Sequence, residues 1–187
     1  MLRLRPRHDF RFAHHDSITM PSAVTTDFSN ADLLQRLIDS EVSFLLVGGA
    51  AVAFYGCRDD RYLPELDILI DPTIENAKRV MAVLSAVGMQ LWIGAKDLAG
   101  PKKQLPVKQL LFDMEILTPA ADETFSTMLA LSVEGLVNGI AVRVMGRDDL
   151  IAMKRVAAND AHTDVEKHKL DLDCLTAPNR TATAAAL

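Results

Sequence analysis

Phe44 to Gly56 reads FLLVGGAAVAFYG, and Glu65 to Asp71 reads ELDILID. The first stretch predicts a short buried strand, a turn at Gly48-Gly49 and a helix of small residues. Missing side chains at such a turn let backbone N–H groups approach phosphate oxygens. A glycine pair by itself is more often only a tight turn. The acidic strand that follows it in the chain adds weight to a site for a phosphate and a metal.

Glu65 and Asp67 alternate along the predicted strand, so their side chains emerge on one face, a few ångströms apart. Two like charges so close are unfavourable unless a cation lies between them, and hard oxygen ligands suit Mg²⁺. The alternative is that both acids lie on the solvent face of an edge strand. The spacing alone does not decide between the two.

A third carboxylate comes from the alternating segment FDMEIL, which places Asp113 and Glu115 on a common face. If this strand lies beside Glu65 to Ile70, three carboxylates could converge on metal ions that clamp the attacking and leaving oxygens of phosphoryl transfer. The spacing does not choose between Asp113 and Glu115, and either could face solvent.

Composition narrows the function classes. The chain has 187 residues, 49% of them hydrophobic, and a net charge of −5, which gives no broad electrostatic case for nucleic acid as a ligand. No apolar run approaches the roughly 18 residues of a membrane span. Cys57 and Cys174 are expected to be free thiols in a reducing, cytoplasmic environment. No Walker A, GxSxG, HExxH or dinucleotide GxGxxG motif competes with phosphoryl or nucleotidyl transfer.

Periodicity and turn residues predict an α/β chain without repeats. The predicted helices are a segment ending near Ser40, 50–55, a segment from Pro72 to a stop at Gly88, one capped by Asp148, and 164–175. The predicted strands are 44–47, 66–70, 89–93, 107–112 and 113–118, with a basic loop at 94–106. Asn138-Gly139 predicts a hairpin between 131–136 and 140–144.

Four regions follow from this pattern. We expect a disordered leader at 1–26, a core at 27–146, C-terminal helices packed on the core at 147–176, and a frayed tail at 177–187. The leader is basic. It is either an arm that contacts RNA or a segment without structure, for example one upstream of a true start at Met20.

The chain resembles the nucleotidyltransferase superfamily, which has the DNA-polymerase-beta-like fold. The resemblance lies in five features that follow one another in the family's order: VGGAAVAFYG, Arg58, ELDILID, MEILTP and DDLIAMKRVAA. The likeness covers roughly residues 28 to 175. It is greatest to small bacterial nucleotidyltransferases of the abortive-infection and toxin-antitoxin type. The resemblance implies a mixed β-sheet flanked by helices, with a helical C-terminal segment.

The resemblance also assigns roles to residues. It implies a triphosphate turn at Gly48 and Gly49, catalytic metal ligands at Glu65, Asp67 and Glu115, and nucleotide-phosphate contacts at Arg58 and Lys154. Lys154 has the alternative of being a solvated helix lysine. Asp164 and Asp171 are both candidates for the acidic position after it.

The implied activity is Mg²⁺-dependent transfer of a nucleoside monophosphate from a nucleoside triphosphate to an acceptor hydroxyl. A tRNA end or a protein is the implied acceptor, and a cognate antitoxin is a potential partner. The alternative is a catalytically inactive protein of the same fold that binds a nucleotide or a protein partner.

Overall fold

A mixed β-sheet forms the centre of the protein. The structure, a computed structural model, describes residues 23–58, 62–109, 112–161 and 163–177. Within these ranges the sheet has eight strands in the order β3-β1-β7-β8-β2-β4-β6-β5. The strands are β1 (Ala23–Thr26), β2 (Phe44–Leu46), β3 (Tyr62–Leu63), β4 (Leu66–Ile70), β5 (Gln104–Gln109), β6 (Phe112–Leu117), β7 (Val133–Val137) and β8 (Ile140–Val144).

Seven helices in the same ranges flank this sheet. They are α1 (Phe28–Asp39), α2 (Gly48–Phe54), α3 (Ile74–Ala86), α4 (Ala95–Leu98), α5 (Phe125–Leu131), α6 (Arg147–Ala158) and α7 (Val165–Thr176). The two C-terminal helices, α6 and α7, pack on each other, and α6 also contacts α2. The predicted α/β class with a mixed sheet, flanking helices and a helical C-terminal segment is therefore confirmed.

The strand β4 positions the acidic pair. Leu66, Ile68 and Ile70 are fully buried on one face, so the alternation of side chains turns Asp67 to the opposite face. The strand pairs antiparallel with β2 and parallel with β6. It therefore lies between the strand that leads into the glycine turn and the strand that carries the third acid.

Several local predictions are confirmed. The strand at 66–70 has the predicted bounds, and α3 is capped by Thr73 and ends before Gly88, whose φ is +84°. The hairpin between β7 and β8 turns at Asn138 and Gly139, which have φ values of +47° and +82°. Two positive φ values are the signature of the tight turn that this dipeptide favours.

Other predictions are wrong. Residues 89–93 form no strand: Met89, Leu91 and Ile93 pack partly buried against the core, while the side chain of Trp92 is 96% exposed. The predicted loop at 94–106 contains α4 and the first residues of β5. Helix α5 was not predicted, and α6 begins one residue before Asp148, with Gly146 at the cap.

The predicted disordered leader wrongly includes residues 23–26, because these residues form β1, which pairs with both β3 and β7. The prediction of disorder for 1–22, and that of fraying for 178–187, fall outside the residues that the structure describes.

The prediction of free thiols is wrong, because Cys57 and Cys174 form a disulfide. The two residues are 117 positions apart, and only the folded chain brings the end of α2 against α7. This pairing removes the cysteine argument for a reducing compartment. In the described part of the chain, none of the helices is both long enough and apolar enough to span a membrane.

Candidate functional site

The carboxylate of Asp67 lies against the Gly48-Gly49 turn. Strand β2 places the turn there, because the N–H of Val47 donates to the carbonyl oxygen of Asp67 over 2.9 Å. Gly48 has a φ of +59°, and a Cβ atom at this position would overlap Oδ2 of Asp67. The N–H of Gly49 lies 3.4 Å from the same oxygen. Only glycine satisfies both the backbone conformation and the close approach at position 48.

Asp67 is hard to ionise in this environment. Burial raises the pKa of its carboxyl group to about 6, and the nearby charges of Glu65 and Glu115 act in the same direction. The N–H of Gly49 and the ammonium group of Lys154 oppose the rise. A bound cation would favour the charged form of a carboxylate in such surroundings, and the metal-binding role of Asp67 stays a prediction.

Glu115 is the register partner of Asp67 on the neighbouring parallel strand, and their side chains therefore share a face. Oε1 of Glu115 accepts a hydrogen bond from Nε2 of Gln104 over 2.6 Å. The other candidate, Asp113, lies two residues before Glu115 on β6, so it is not the register partner of Asp67. Its Oδ1 lies 3.3 Å from Nζ of Lys108.

Glu65 is also engaged by Lys108, whose Nζ lies 3.1 Å from Oε1. The Glu65 and Lys108 side chains are about half exposed, so the pair is a weak surface contact that a stronger ligand could displace. The ammonium group of Lys108 thus contacts two of the four acids on this face.

The acidic side chains on this face have donor atoms that suit a divalent cation, but they are not grouped closely enough to hold one. Asp67, Glu65 and Glu115 offer only hard oxygen donors, which Mg²⁺ prefers. Burial and, after it, the charges of Glu65 and Glu115 raise the pKa of Asp67. Across the described ranges, however, no three His, Cys, Asp or Glu side chains are grouped closely enough to hold a metal ion. Glu65 and Glu115 would have to leave Lys108 and Gln104.

Lys154 and Arg58 meet at Asp171. Nζ of Lys154, on α6, lies 2.7 Å from Oδ2 of Asp171, on α7, and both side chains are 5% exposed. The guanidinium of Arg58 contacts both carboxylate oxygens of Asp171, with Nη2 at 3.0 and 3.3 Å. The prediction that Lys154 is a solvated helix lysine is therefore wrong. Burial lowers the pKa of Lys154, although Asp171 favours its charged form.

This cluster borders the glycine turn. A Cβ atom on Gly49 would lie 2.7 Å from Nη1 of Arg58, so the guanidinium fills the space that the missing side chain leaves. Asp164, the other acidic candidate, instead caps α7 by accepting a hydrogen bond from the N–H of Lys167 over 3.1 Å. The structure therefore brings Asp171, and not Asp164, to the predicted cations.

Comparison with known proteins gives the fold. The chain is similar to the lincosamide antibiotic adenylyltransferase LnuA, solved with lincomycin bound. The TM-score is 0.53, the identity 14%, and the match covers 81% of this chain and 97% of that one. This protein has the nucleotidyltransferase fold.

Two further solved structures match with TM-scores of 0.49. One is the antibiotic-resistance factor ANT(2'')-Ia, at 16% identity, covering 80% of this chain and 85% of that one. The other is an antigenic nucleotidyltransferase-like protein from Paracoccidioides brasiliensis, at 11% identity, covering 78% of this chain and 72% of that one. No family model and no curated protein sequence matches the chain.

A buried asparagine, Asn30, supports the site, and its role was not predicted from the sequence. Asn30 donates to the carbonyl oxygen of Pro64 over 2.7 Å and accepts from the N–H of Asp113 over 2.9 Å. It thus joins the segment before Glu65 to the start of β6. In the sequence it is one more polar residue on an amphipathic helix, and no local signal separates it from the exposed ones.

Proposed function

We propose that this protein transfers a nucleoside monophosphate from a nucleoside triphosphate to an acceptor hydroxyl, using Mg²⁺ and releasing pyrophosphate. The observation that carries the proposal is the Asp67 carboxylate held against the Gly48-Gly49 turn within a nucleotidyltransferase fold. Such a site needs phosphate-binding N–H groups beside a carboxylate that favours a cation.

The reaction follows from these parts. The acceptor oxygen attacks the α-phosphorus and loses its proton to solvent, while the bond to the bridging oxygen breaks and pyrophosphate leaves with the electron pair. Bound Mg²⁺ would neutralise charge on the phosphate oxygens, and its proposed ligands are Asp67, Glu65 and Glu115. Glu115 is preferred to Asp113 because it is the register partner of Asp67. Arg58 and Lys154 would bind phosphate oxygens.

The charge of the site bears on the class of acceptor. A tRNA end, a protein and, by analogy with LnuA, a small hydroxylated antibiotic are the three classes to compare. The face that carries Asp67 and Glu115 also carries Glu65 and Asp113, and the whole chain has a net charge of −5. Mg²⁺, Arg58 and Lys154 would offset the charge of the triphosphate alone, so the remaining acidic surface would repel a long polynucleotide, which favours a protein or a small-molecule acceptor over RNA.

Label transfer tests the proposal. Purified protein is incubated with each α-labelled nucleoside triphosphate, Mg²⁺ and one acceptor: total tRNA, a protein lysate or lincomycin. We expect labelled product with the wild type and with Asp173→Asn, and none with Asp67→Asn. The Asp173 variant is the matched control, since Asp173 is an exposed acid of α7. Equal labelling by the Asp67 variant would contradict the assigned site.

A second function is favoured by the contacts that Glu65 makes with Lys108 and Glu115 makes with Gln104. In this alternative the protein binds a nucleotide or a protein partner without catalysis, for example as one half of a toxin-antitoxin pair. It predicts that nucleotide raises the melting temperature by mass action, while no acceptor becomes labelled.

A further inference from the structure

Asp171 joins two cations that come from distant parts of the chain. Arg58 follows α2, whereas Lys154 belongs to α6, and the carboxylate of Asp171 on α7 contacts both. Burial alone would raise the pKa of Asp171, but the hydrogen bonds from Arg58 and Lys154 outweigh it and the pKa is lowered. Asp171 is therefore a charged group between two positive ones.

Lys154, the buried cation of the two, needs such a partner, whereas the side chain of Arg58 is 22% exposed. The ammonium group of Lys154 has little access to water, and a buried ammonium without a counter-ion tends to lose its proton or to move. Nδ1 of His168 lies 3.4 Å from Nζ of Lys154, but an imidazole ring is neutral or positively charged and cannot act as the counter-ion. Asp67 adds attraction through space, without a hydrogen bond to Lys154.

The position of Arg58 is held from two sides. Its guanidinium lies between Gly49 and Asp171, and the preceding residue, Cys57, is bonded to Cys174. Cys174 lies three positions after Asp171, close to one turn along α7. The same two segments are thus joined by a covalent bond and by an ion pair, which keeps α7 in place beside the glycine turn.

We propose that Asp171 is a positioning residue that holds Arg58 and Lys154 in one geometry for nucleotide phosphates beside the Gly48-Gly49 turn. This inference rests on the proposed function. Asp171 contacts no phosphate itself, since a carboxylate repels one. Its effect on nucleotide binding comes through the two cations.

The first test is nucleotide affinity in Asp171→Asn, which keeps the shape of the side chain and removes its charge. We expect the Kd of the preferred nucleoside triphosphate to rise at least tenfold in a titration made well below the melting temperature of the variant. Asp173→Asn, the same change at an exposed position of α7, should alter the Kd less than twofold. Unchanged affinity in the Asp171 variant would overturn the proposal.

The second test needs no nucleotide. Acetic anhydride is added to the folded protein, and acylation of Lys154 is followed by mass spectrometry against the exposed Lys167 of the same molecule. In the wild type Lys154 should react slowly, because it is buried and paired. In Asp171→Asn its rate relative to Lys167 should rise at least fivefold. A residue that only stabilises the fold would lower the melting temperature and leave this ratio unchanged.

The two readouts separate this proposal from the proposed function. If the wild type binds no nucleoside triphosphate, the proposed function fails, whereas Lys154 still becomes reactive in Asp171→Asn. If nucleotide binds equally to both proteins, the positioning role fails and the proposed function stands. Should Asp171→Asn not fold, Asp171→Glu decides, because it keeps the charge and moves the carboxylate by one methylene. Unchanged affinity and unchanged Lys154 reactivity in that variant would overturn the positioning role.

Discussion

The backbone N–H of Gly49 lies 3.4 Å from Oδ2 of Asp67, so a glycine turn and an acidic strand that are separated in the sequence become one site. The contact is made by the first residues of α2 and the second residue of β4. It depends on Gly48, whose missing side chain leaves room for the carboxylate.

Gly48→Ala should therefore destabilise the fold as well as the site. Alanine at a φ of +59° costs about 1–2 kcal/mol, and overlap of its Cβ with Asp67 adds strain, giving a loss of roughly 2–5 kcal/mol in the free energy of unfolding. Urea denaturation measures it. Gly88→Ala is the control, because Gly88 also has a positive φ but nothing lies within 4 Å of an added Cβ. Equal losses at the two positions would show that the contact with Asp67 costs nothing.

Asp67→Asn should stabilise the protein in EDTA, and the gain should depend on pH. The pKa of Asp67 is raised from 3.8 to about 6, so the stability that its protonated form contributes is fully present below about pH 4 and is lost as the pH rises through 6. The variant should therefore gain on the wild type between pH 4 and 6, by up to about 3 kcal/mol above that range. Urea unfolding at pH 4, 5, 6 and 7.5 measures the difference.

The control for this prediction is Gly88→Ala, which changes no titratable group, so its stability relative to the wild type should stay constant over the same pH range. A constant difference for Asp67→Asn as well would contradict the assignment of the raised pKa.

Mg²⁺ with a nucleoside triphosphate should raise the melting temperature of the wild type and not that of Asp67→Asn, because only the wild type keeps the proposed ligand.

Features with a local cause could be predicted from the sequence. The alternation in Leu66 to Ile70 defines a strand whatever lies beside it, and Asn138-Gly139 favours a turn with two positive φ values. The pattern at 89–93 misled because partly buried Met89, Leu91 and Ile93 satisfy the same alternation without a strand partner. Hydrophobic periodicity reports burial, and a hydrogen-bonded ladder also needs a neighbour.

Features that join distant segments could not be predicted. Arg58 and Asp171 are 113 positions apart, and nothing near either residue indicates the other. Resemblance gave Lys154 a role and left Asp164 and Asp171 undecided, because both follow it at plausible spacing. Three-dimensional packing separates them: Asp164 caps a helix, whereas Asp171 is buried against two cations.

Asn76→Ala tests another long-range contact that supports the site. Its buried amide accepts from the N–H of Ser43 over 2.8 Å and donates to the carbonyl oxygens of Ser43 and Asp71, which joins the start of β2 to the end of β4. Removing it leaves buried backbone groups without partners, so we expect a loss of about 2–4 kcal/mol in urea denaturation. Asn159→Ala, at the exposed end of α6, should cost under about 0.5 kcal/mol.

Reduction of the Cys57–Cys174 disulfide should lower the free energy of unfolding, chiefly because the unfolded chain gains freedom. For a loop of 117 residues, chain entropy gives a loss of about 5 kcal/mol. Urea denaturation with and without a dithiol measures it, and the dithiol should leave the Cys57→Ser/Cys174→Ser double variant unaffected.

Reduction also leaves the ion pair of Asp171 with Arg58 as a direct link between these two segments. Hydrogen exchange in α7 should then rise most when reduction is combined with Asp171→Asn; exchange that is unchanged by either treatment would show that neither link holds the helix.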